Sequence, residues 1–154
     1  MGHTAFSNRG GAFDVALDLG ENRVSVLVID DDPVTAELID VALEALHANC
    51  ELISDGRSAL ERLEGDRVDL VVLDVRLPRV SGMEVLQALR RDPTWMTVPV
   101  IVVTACDVED IVVAALYADA DDVLPKPLNI AELRARAARR LRSSGQLMAS
   151  ALVG

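Results

Sequence analysis

The middle of the chain alternates between short, predominantly apolar runs and longer amphipathic segments. The apolar runs, rich in Val, Ile and Leu, predict five buried β-strands at 24–29, 50–53, 68–73, 98–103 and 122–124. Because the runs are predominantly apolar and show no regular alternation with polar residues, both faces of each strand should be covered. Such double coverage is typical of a parallel sheet.

The segments between and after these strands predict five helices. Asp32 and Pro33 suit the N-cap and the first position of the first helix. Asp55 and Gly56 are interpreted as a turn. The remaining helices are predicted at 58–64, 83–90, 107–118 and, with Asn129 as N-cap, 130–142. The apolar positions of the first helix, expected to face the core, are Val34, Leu38, Val41, Ala42, Ala45 and Leu46.

Five strands alternating with five helices predict a doubly wound α/β fold, a five-stranded parallel sheet with helices on both faces. In such sheets the ligand crevice lies at the carboxyl ends of the strands, where the strand order reverses. With the order 2-1-3-4-5, the first and third strands flank that reversal. Residues that follow these two strands are therefore expected to lie side by side.

Polar residues follow four of the predicted strands at this edge. Asp30 and Asp31 follow the first strand, Asp74 the third, Thr104 the fourth and Lys126 the fifth. Three neighbouring carboxylates repel one another unless a cation compensates them. Mg²⁺ prefers oxygen ligands and often uses only one or two protein carboxylates, so the acids predict a Mg²⁺ site.

These residue types suit phosphoryl transfer. Asp74 can act as a nucleophile that becomes an aspartyl phosphate. The metal and Lys126 can offset charge on the transferring group, and Thr104 can hydrogen-bond a phosphoryl oxygen. The hypothesis depends on convergence, since each residue alone also fits a structural role as a solvated loop acid, a strand-terminal cap, a β-branched strand residue or a surface lysine.

Other polar or reactive residues are assigned structural roles. Asp32 is interpreted as a helix cap. Asp121 and Asp122 are interpreted as turn residues before the fifth strand. Cys50 and Cys106 have no partner at ligand spacing, so we expect reduced, buried thiols and no metal or redox role.

Composition narrows the function classes. The 154 residues suit one domain, and 3% aromatic content leaves the core to aliphatic side chains. The net charge of −10 argues against binding of nucleic acid by this segment, which would need a basic patch. No apolar stretch reaches the roughly 18 residues of a membrane span. Residues 1–22 lack the apolar core of a signal peptide, so a cytoplasmic location is predicted.

The two ends of the chain differ from the regular middle. Residues 1–22 are mixed in composition and are interpreted as a flexible extension with a short helical piece around 13–19. Residues 23–143 form the predicted domain. Residues 144–154 are interpreted as a C-terminal tail that frays or packs weakly.

Four segments together make residues 24 to 142 resemble a response-regulator receiver domain, and they read VLVIDDDP, DLVVLDVRLPRVSGMEVL, VPVIVVTA and ADADDVLPKP. The resemblance implies a flavodoxin-like fold with Asp74 as the phosphoacceptor. It also implies that Mg²⁺ is bound by Asp31, by Asp30 partly through water, and by the backbone carbonyl of Arg76.

The resemblance further implies that Thr104 is the switch hydroxyl, that Lys126 contacts the phosphate, and that the bond to Pro127 is cis. Two positions depart from the family pattern. Val123 stands where similar receivers carry Tyr or Phe, so output should depend more on backbone shifts of the loop after Thr104. Asp119 stands where Gly often ends the fourth helix, and Asp tolerates a left-handed conformation better than most residues.

The function implied by the resemblance is a phosphorylation-controlled switch of a two-component system. It would receive a phosphoryl group from a histidine kinase or phosphotransfer protein and then contact a downstream protein target. It would catalyse only its own phosphotransfer and dephosphorylation. Both a stand-alone receiver and a part of a longer regulator or hybrid kinase are compatible with the sequence. The last helix carries arginines that form either a solvated face or half of a homodimer surface: Arg134, Arg136, Arg139, Arg140 and Arg142.

Two other functions stay open. One is an interaction module that signals without phosphorylation, for which Val123 is the support. The other is a Mg²⁺-dependent phosphohydrolase with an aspartyl-phosphate intermediate, like the haloacid-dehalogenase-type enzymes. Those enzymes need a second acid two residues after the nucleophile, where this chain has Arg76, and a cap domain that encloses the substrate.

Overall fold

The computed structural model describes residues 3–4, 23–105 and 109–145, without the side chains of 3–4 and 109–112. The strands are β1 His3–Thr4, β2 Val24–Ile29, β3 Ala48–Ile53, β4 Leu70–Asp74, β5 Val100–Thr104 and β6 Asp122–Pro125. The helices are α1 Pro33–Glu44, α2 Gly56–Arg62, α3 Gly82–Arg91, α4 Glu109–Tyr117 and α5 Ile130–Ser143.

The strands form one sheet with the order β1-β3-β2-β4-β5-β6. All neighbours from β3 to β6 pair in parallel, which confirms the predicted five-stranded order 2-1-3-4-5. β1 pairs antiparallel with the outer edge of β3, with His3 opposite Ile53 and Thr4 opposite Leu52. This pairing was not predicted, and the helical piece expected at 13–19 lies outside the described residues.

Helices cover both faces of the sheet. On one face, α1 and α5 bury large aliphatic side chains such as Ile39, Leu43 and Leu133. On the other face, α2, α3 and α4 enclose a second core that contains Leu86 and the fully buried Trp95. No helix in the described part of the chain is long and apolar enough to span a membrane.

The predicted core face of α1 is wrong in part. Val34 is 66% exposed, and Leu38 and Val41 are also exposed. The buried stripe instead contains Ile39 and Leu43, four residues apart. Apolar residues surround this helix on more than one side, so periodicity alone did not select the stripe that the sheet covers.

The helix starts are set by side-chain caps. Asp32 caps α1 as predicted and accepts a hydrogen bond from the Val34 amide (3.1 Å). Asn129 caps α5 in the same way. Asp55 is the N-cap of α2, and accepts a hydrogen bond from the Ser58 amide (2.7 Å), so the predicted turn is in fact the first turn of the helix.

Asp122 is the first residue of β6, so its interpretation as a turn residue is wrong. Its buried carboxylate accepts hydrogen bonds from Arg136 (2.7 Å), Arg140 (2.6 Å) and, at 3.5 Å, Arg139 of α5. Burial alone would raise the pKa of Asp122, but the hydrogen bonds from Arg140 and Arg136 outweigh it and hold the pKa below the ordinary 3.8. Part of the arginine face of α5 therefore serves the fold of this chain.

Asp121 lies in the bend before β6, as predicted, and has a structural task there. Its Oδ2 accepts hydrogen bonds from the Val100 amide (2.7 Å) and from Arg90 of α3 (2.9 Å). Arg90 also donates to the carbonyl of Asp119, whose φ of 70° is left-handed. The departure from Gly at position 119 is therefore tolerated, and this corner is fixed by polar contacts.

Candidate functional site

Three acidic side chains meet at the carboxyl edge of the sheet. Asp30 directly follows β2, and Asp74 is the last residue of the neighbouring strand β4. One carboxylate oxygen from each of Asp30, Asp31 and Asp74 lies within 4.8 Å of the other two. Asp30 and Asp74 are buried, whereas Asp31 is exposed. The structure thus brings together the three acids that the sequence placed at one crevice.

Lys126 reaches into this cluster from the next residue after β6. Its Nζ lies 3.1 Å from Asp30 Oδ2 and 3.3 Å from Asp74 Oδ2. Its backbone amide donates to the carbonyl of Thr104, the last residue of β5 (2.7 Å). Burial opposes the charge on Lys126, but the neighbouring Asp30 and Asp74 outweigh it and raise the pKa of the lysine. The ammonium group is therefore charged when it faces the acids.

Each buried carboxylate is oriented by a backbone amide two residues further along. Asp30 Oδ1 accepts from the Asp32 amide (2.9 Å), and Asp74 Oδ1 accepts from the Arg76 amide (3.0 Å). These are the local hydrogen bonds by which Asp stabilises a turn. In this arrangement Lys126 donates to Oδ1 of Asp30 (3.4 Å) and to Oδ2 of Asp74 (3.3 Å).

The site fits a bound Mg²⁺. Asp30 Oδ2 is buried and has no hydrogen bond in the described structure, although Lys126 is close. Burial raises the pKa of Asp30 and of Asp74, and the two carboxylates repel each other, while Lys126 only partly compensates. A hard divalent cation would satisfy the buried oxygen and offset the repulsion. Asp30, Asp31 and Asp74 are the residues that would hold it.

The other predicted site residues lie along the same edge. Thr104 is buried, and Val123 is half-buried against the core that contains Trp95. The Lys126–Pro127 peptide bond is cis. Arg76 is exposed at the mouth of the site, and participation of its carbonyl in metal binding stays a prediction.

Sequence reasoning missed the part that Gly82 plays at this site. A Cβ at position 82 would contact the carbonyl oxygen of Asp74 and lie 2.6 Å from Cα of Val75. The Gly82 amide also donates to the Val75 carbonyl (2.8 Å). The glycine between a loop and a helix was visible in the sequence, but its close approach to the acidic strand end depends on tertiary packing.

Comparison with known proteins assigns this architecture to two-component signal transduction. The family model described as response regulator receiver domain matches residues 26–138. The chain belongs to this family.

Individual relatives agree with the family assignment. The response regulator MprA of Mycolicibacterium vanbaalenii is 44% identical over 119 residues, which cover 77% of this chain and 51% of MprA. The chain spans about half the length of the curated relatives it matches.

Solved receiver domains have the same fold. The receiver domain of the Francisella response regulator 1452 has a TM-score of 0.72 at 30% identity, covering 79% of this chain and 99% of that one. The receiver domain of the sensor histidine kinase PA1611 from Pseudomonas aeruginosa has a TM-score of 0.72 at 29% identity, covering 78% of this chain and 98% of that one. In the latter structure a magnesium ion is coordinated in the active-site cleft.

Proposed function

We propose that this chain is a phosphorylation-controlled switch that accepts a phosphoryl group on Asp74 in a Mg²⁺-dependent reaction. The main support is one cluster, in which the oriented carboxylate of Asp74 lies 3.3 Å from Lys126 and next to the unsatisfied, buried oxygen of Asp30. The donor would be a histidine kinase or phosphotransfer protein in the cytoplasm. Self-catalysed phosphotransfer and dephosphorylation would be its only catalysis.

The residues divide the chemical work. An oxygen of Asp74 attacks phosphorus, and the bond from phosphorus to the donor breaks with its electron pair leaving on the donor. Lys126 contacts the phosphoryl oxygens and offsets their charge. Asp30, Asp31 and Asp74, with the carbonyl of Arg76, would hold Mg²⁺. When bound, the ion neutralises charge that develops on the transferring group.

The output of the switch would begin at Thr104. Its hydroxyl would hydrogen-bond a phosphoryl oxygen after transfer and draw the following loop toward Asp74. Val123 has no aromatic ring that could change rotamer, so backbone movement after Thr104 would change the surface offered to a downstream protein.

The first test is labelling by a small acyl phosphate donor, followed by phosphate-affinity electrophoresis. We expect Mg²⁺-dependent labelling of the wild-type chain and none of Asp74→Asn. Asp66→Asn, an exposed acid in a different loop, is the matched control and should be labelled normally. Undiminished labelling of Asp74→Asn would reject the proposal.

A second candidate function, favoured only by Val123, is an interaction module that works without phosphorylation. Equal affinity of a partner for the wild-type chain with and without beryllofluoride would support that alternative. Phosphohydrolase activity has less support, because the position of the second acid is the exposed Arg76. Turnover of a generic phosphate monoester would be its test.

Homodimer formation through α5 is a separate proposal about partners. Arg136 and Arg140 lie 2.7 and 2.6 Å from Asp122, whereas Arg139 contacts Asp122 only at 3.5 Å with its side chain 55% exposed, and Arg142 is exposed. A dimer would therefore use Arg139 and Arg142. Sedimentation of Arg139→Glu/Arg142→Glu tests this, and unchanged association relative to wild type would remove the idea.

A further inference from the structure

Two glycines pack closely against the loop between Asp74 and α3, one near its start and one near its end. Gly82 lies against the backbone of Asp74 and Val75, as described above. Gly56, the first residue of α2, is buried and lies against Val80 of the same loop. A Cβ at position 56 would contact the Val80 carbonyl oxygen and lie 2.8 Å from the Val80 Cβ. Neither position has room for a side chain.

The conformation of this loop is further restricted by its own hydrogen bonds. The Val80 amide donates to the Pro78 carbonyl (2.8 Å), and Arg79 is left-handed with φ of 67°. At the far end, Ser81 and Glu84 form a reciprocal capping box that begins α3. A displacement of Val80 would therefore pass along a stiff segment to its two ends, one of which is Asp74.

We propose that Gly56 is a positioning residue for the reaction at Asp74, although it belongs to a different helix and touches none of the site residues in the described structure. This inference rests on the proposed function. Because Gly56 has no side chain, the start of α2 can pack directly against Val80. This contact would hold the loop so that the carboxylate of Asp74 and the carbonyl of Arg76 are positioned for Mg²⁺ and the phosphoryl group. A change at the start of α2 would then alter the position of Asp74 and the affinity of the site for Mg²⁺.

The decisive variant is Gly56→Ala, with Gly65→Ala as its matched control. Gly65 lies just after the same helix and is exposed. Its added Cβ would lie 3.1 Å from the guanidinium end of Arg62 and at ordinary contact distance, 3.5 Å, from the Arg62 carbonyl oxygen. For Gly56→Ala we expect Mg²⁺ affinity, measured by calorimetry without any donor, to fall severalfold, and labelling to slow by on the order of tenfold or more. Gly65→Ala should match wild type in both measurements.

A control for stability separates positioning from general weakening. Ala137→Gly removes helix propensity in α5, on the opposite face of the sheet. It should lower the unfolding midpoint and leave Mg²⁺ affinity unchanged well below that midpoint. If Gly56→Ala binds Mg²⁺ and takes label like wild type, the inference is wrong.

If Gly56→Ala fails to fold, the variant Val80→Gly tests the same contact, because Val80 is the residue against which Gly56 packs. It removes the half-buried side chain that faces Gly56 and frees the loop. Lower Mg²⁺ affinity in a folded Val80→Gly would support the inference, and unchanged affinity and labelling would overturn it. Absence of labelling in the wild-type chain would reject the proposed function but not the inference about Gly56. The comparison of Mg²⁺ affinities would still test the role of Gly56.

Discussion

The ammonium nitrogen of Lys126 lies 3.3 Å from Oδ2 of Asp74, although the two residues are 52 positions apart in the chain. Lys126 is also the only lysine among the 154 residues, while all other permanently cationic side chains are arginine. An ammonium group is a compact point charge on a flexible stem, whereas guanidinium is a wide, planar fork. The only lysine of the chain therefore lies at the site, next to Asp74.

This relationship predicts a split effect of Lys126→Ala. Labelling of Asp74 should slow by roughly 100-fold, because a cation aimed at the developing charge is lost. Mg²⁺ affinity should stay equal or rise, because the lysine and the ion compete for the same carboxylates. Calorimetry and labelling of one protein sample check both parts. A parallel loss of Mg²⁺ affinity would contradict the competition.

The Asp122 contacts with α5 predict a pH-dependent loss of stability in Asp122→Asn. At neutral pH the variant should unfold more easily by about 1–3 kcal/mol, because Arg136 and Arg140 lose their charged acceptor. The pKa of Asp122 is lowered by folding, so its contribution is present above the ordinary value of 3.8 and is lost as pH falls through the folded-state pKa. Denaturant unfolding at a series of pH values should show the two proteins converging in acid. Asp66→Asn is the control, and a constant gap at all pH values would contradict this account.

The buried thiol of Cys50 predicts inertness in the folded protein. Burial, aided by the nearby Asp40 carboxylate, raises the pKa of Cys50 to about 12. In a Cys106→Ser background, a thiol reagent at mildly alkaline pH should therefore modify Cys50 only after denaturant is added. Rapid modification of the native chain would show that the thiol is accessible.

The left-handed residue after α4 predicts a stabilising substitution. Asp119→Gly should increase the free energy of unfolding by about 0.5 kcal/mol, because Gly adopts φ of 70° without a steric penalty. Ala118→Gly, one residue earlier, should instead destabilise by a similar amount, since the φ of Ala118 is not positive. Denaturant unfolding of both variants would check the opposite signs.

Strand identities, sheet order and the convergence of the site residues could be predicted because each depends on local patterns and on general rules for parallel sheets. Val24–Ile29 is apolar apart from Ser25, and Asp30 directly follows it. The edge at which β2 and β4 end then follows from topology.

Contacts between distant segments could not be predicted in this way. Asp122 looked like a turn residue because its partners, Arg136 and Arg140, lie 14 and 18 residues further along. Val34 looked like a core residue because the apolar pattern of α1 offers more than one stripe. Gly56 and Gly82 read as punctuation, since only three-dimensional packing shows which backbone each one touches.

The short strand β1 leaves most of its neighbour uncovered. It pairs with Leu52 and Ile53 only, so the outer backbone groups of 48–51 have no partner strand among the described residues. An exposed strand margin is a template for another extended peptide, and natural proteins usually blunt it with charge or distortion. A version of the chain that starts at Arg23 would lack β1 and expose the full length of the β3 edge. Intermolecular strand pairing at this edge should be checked before such a shortened protein is concentrated for spectroscopy.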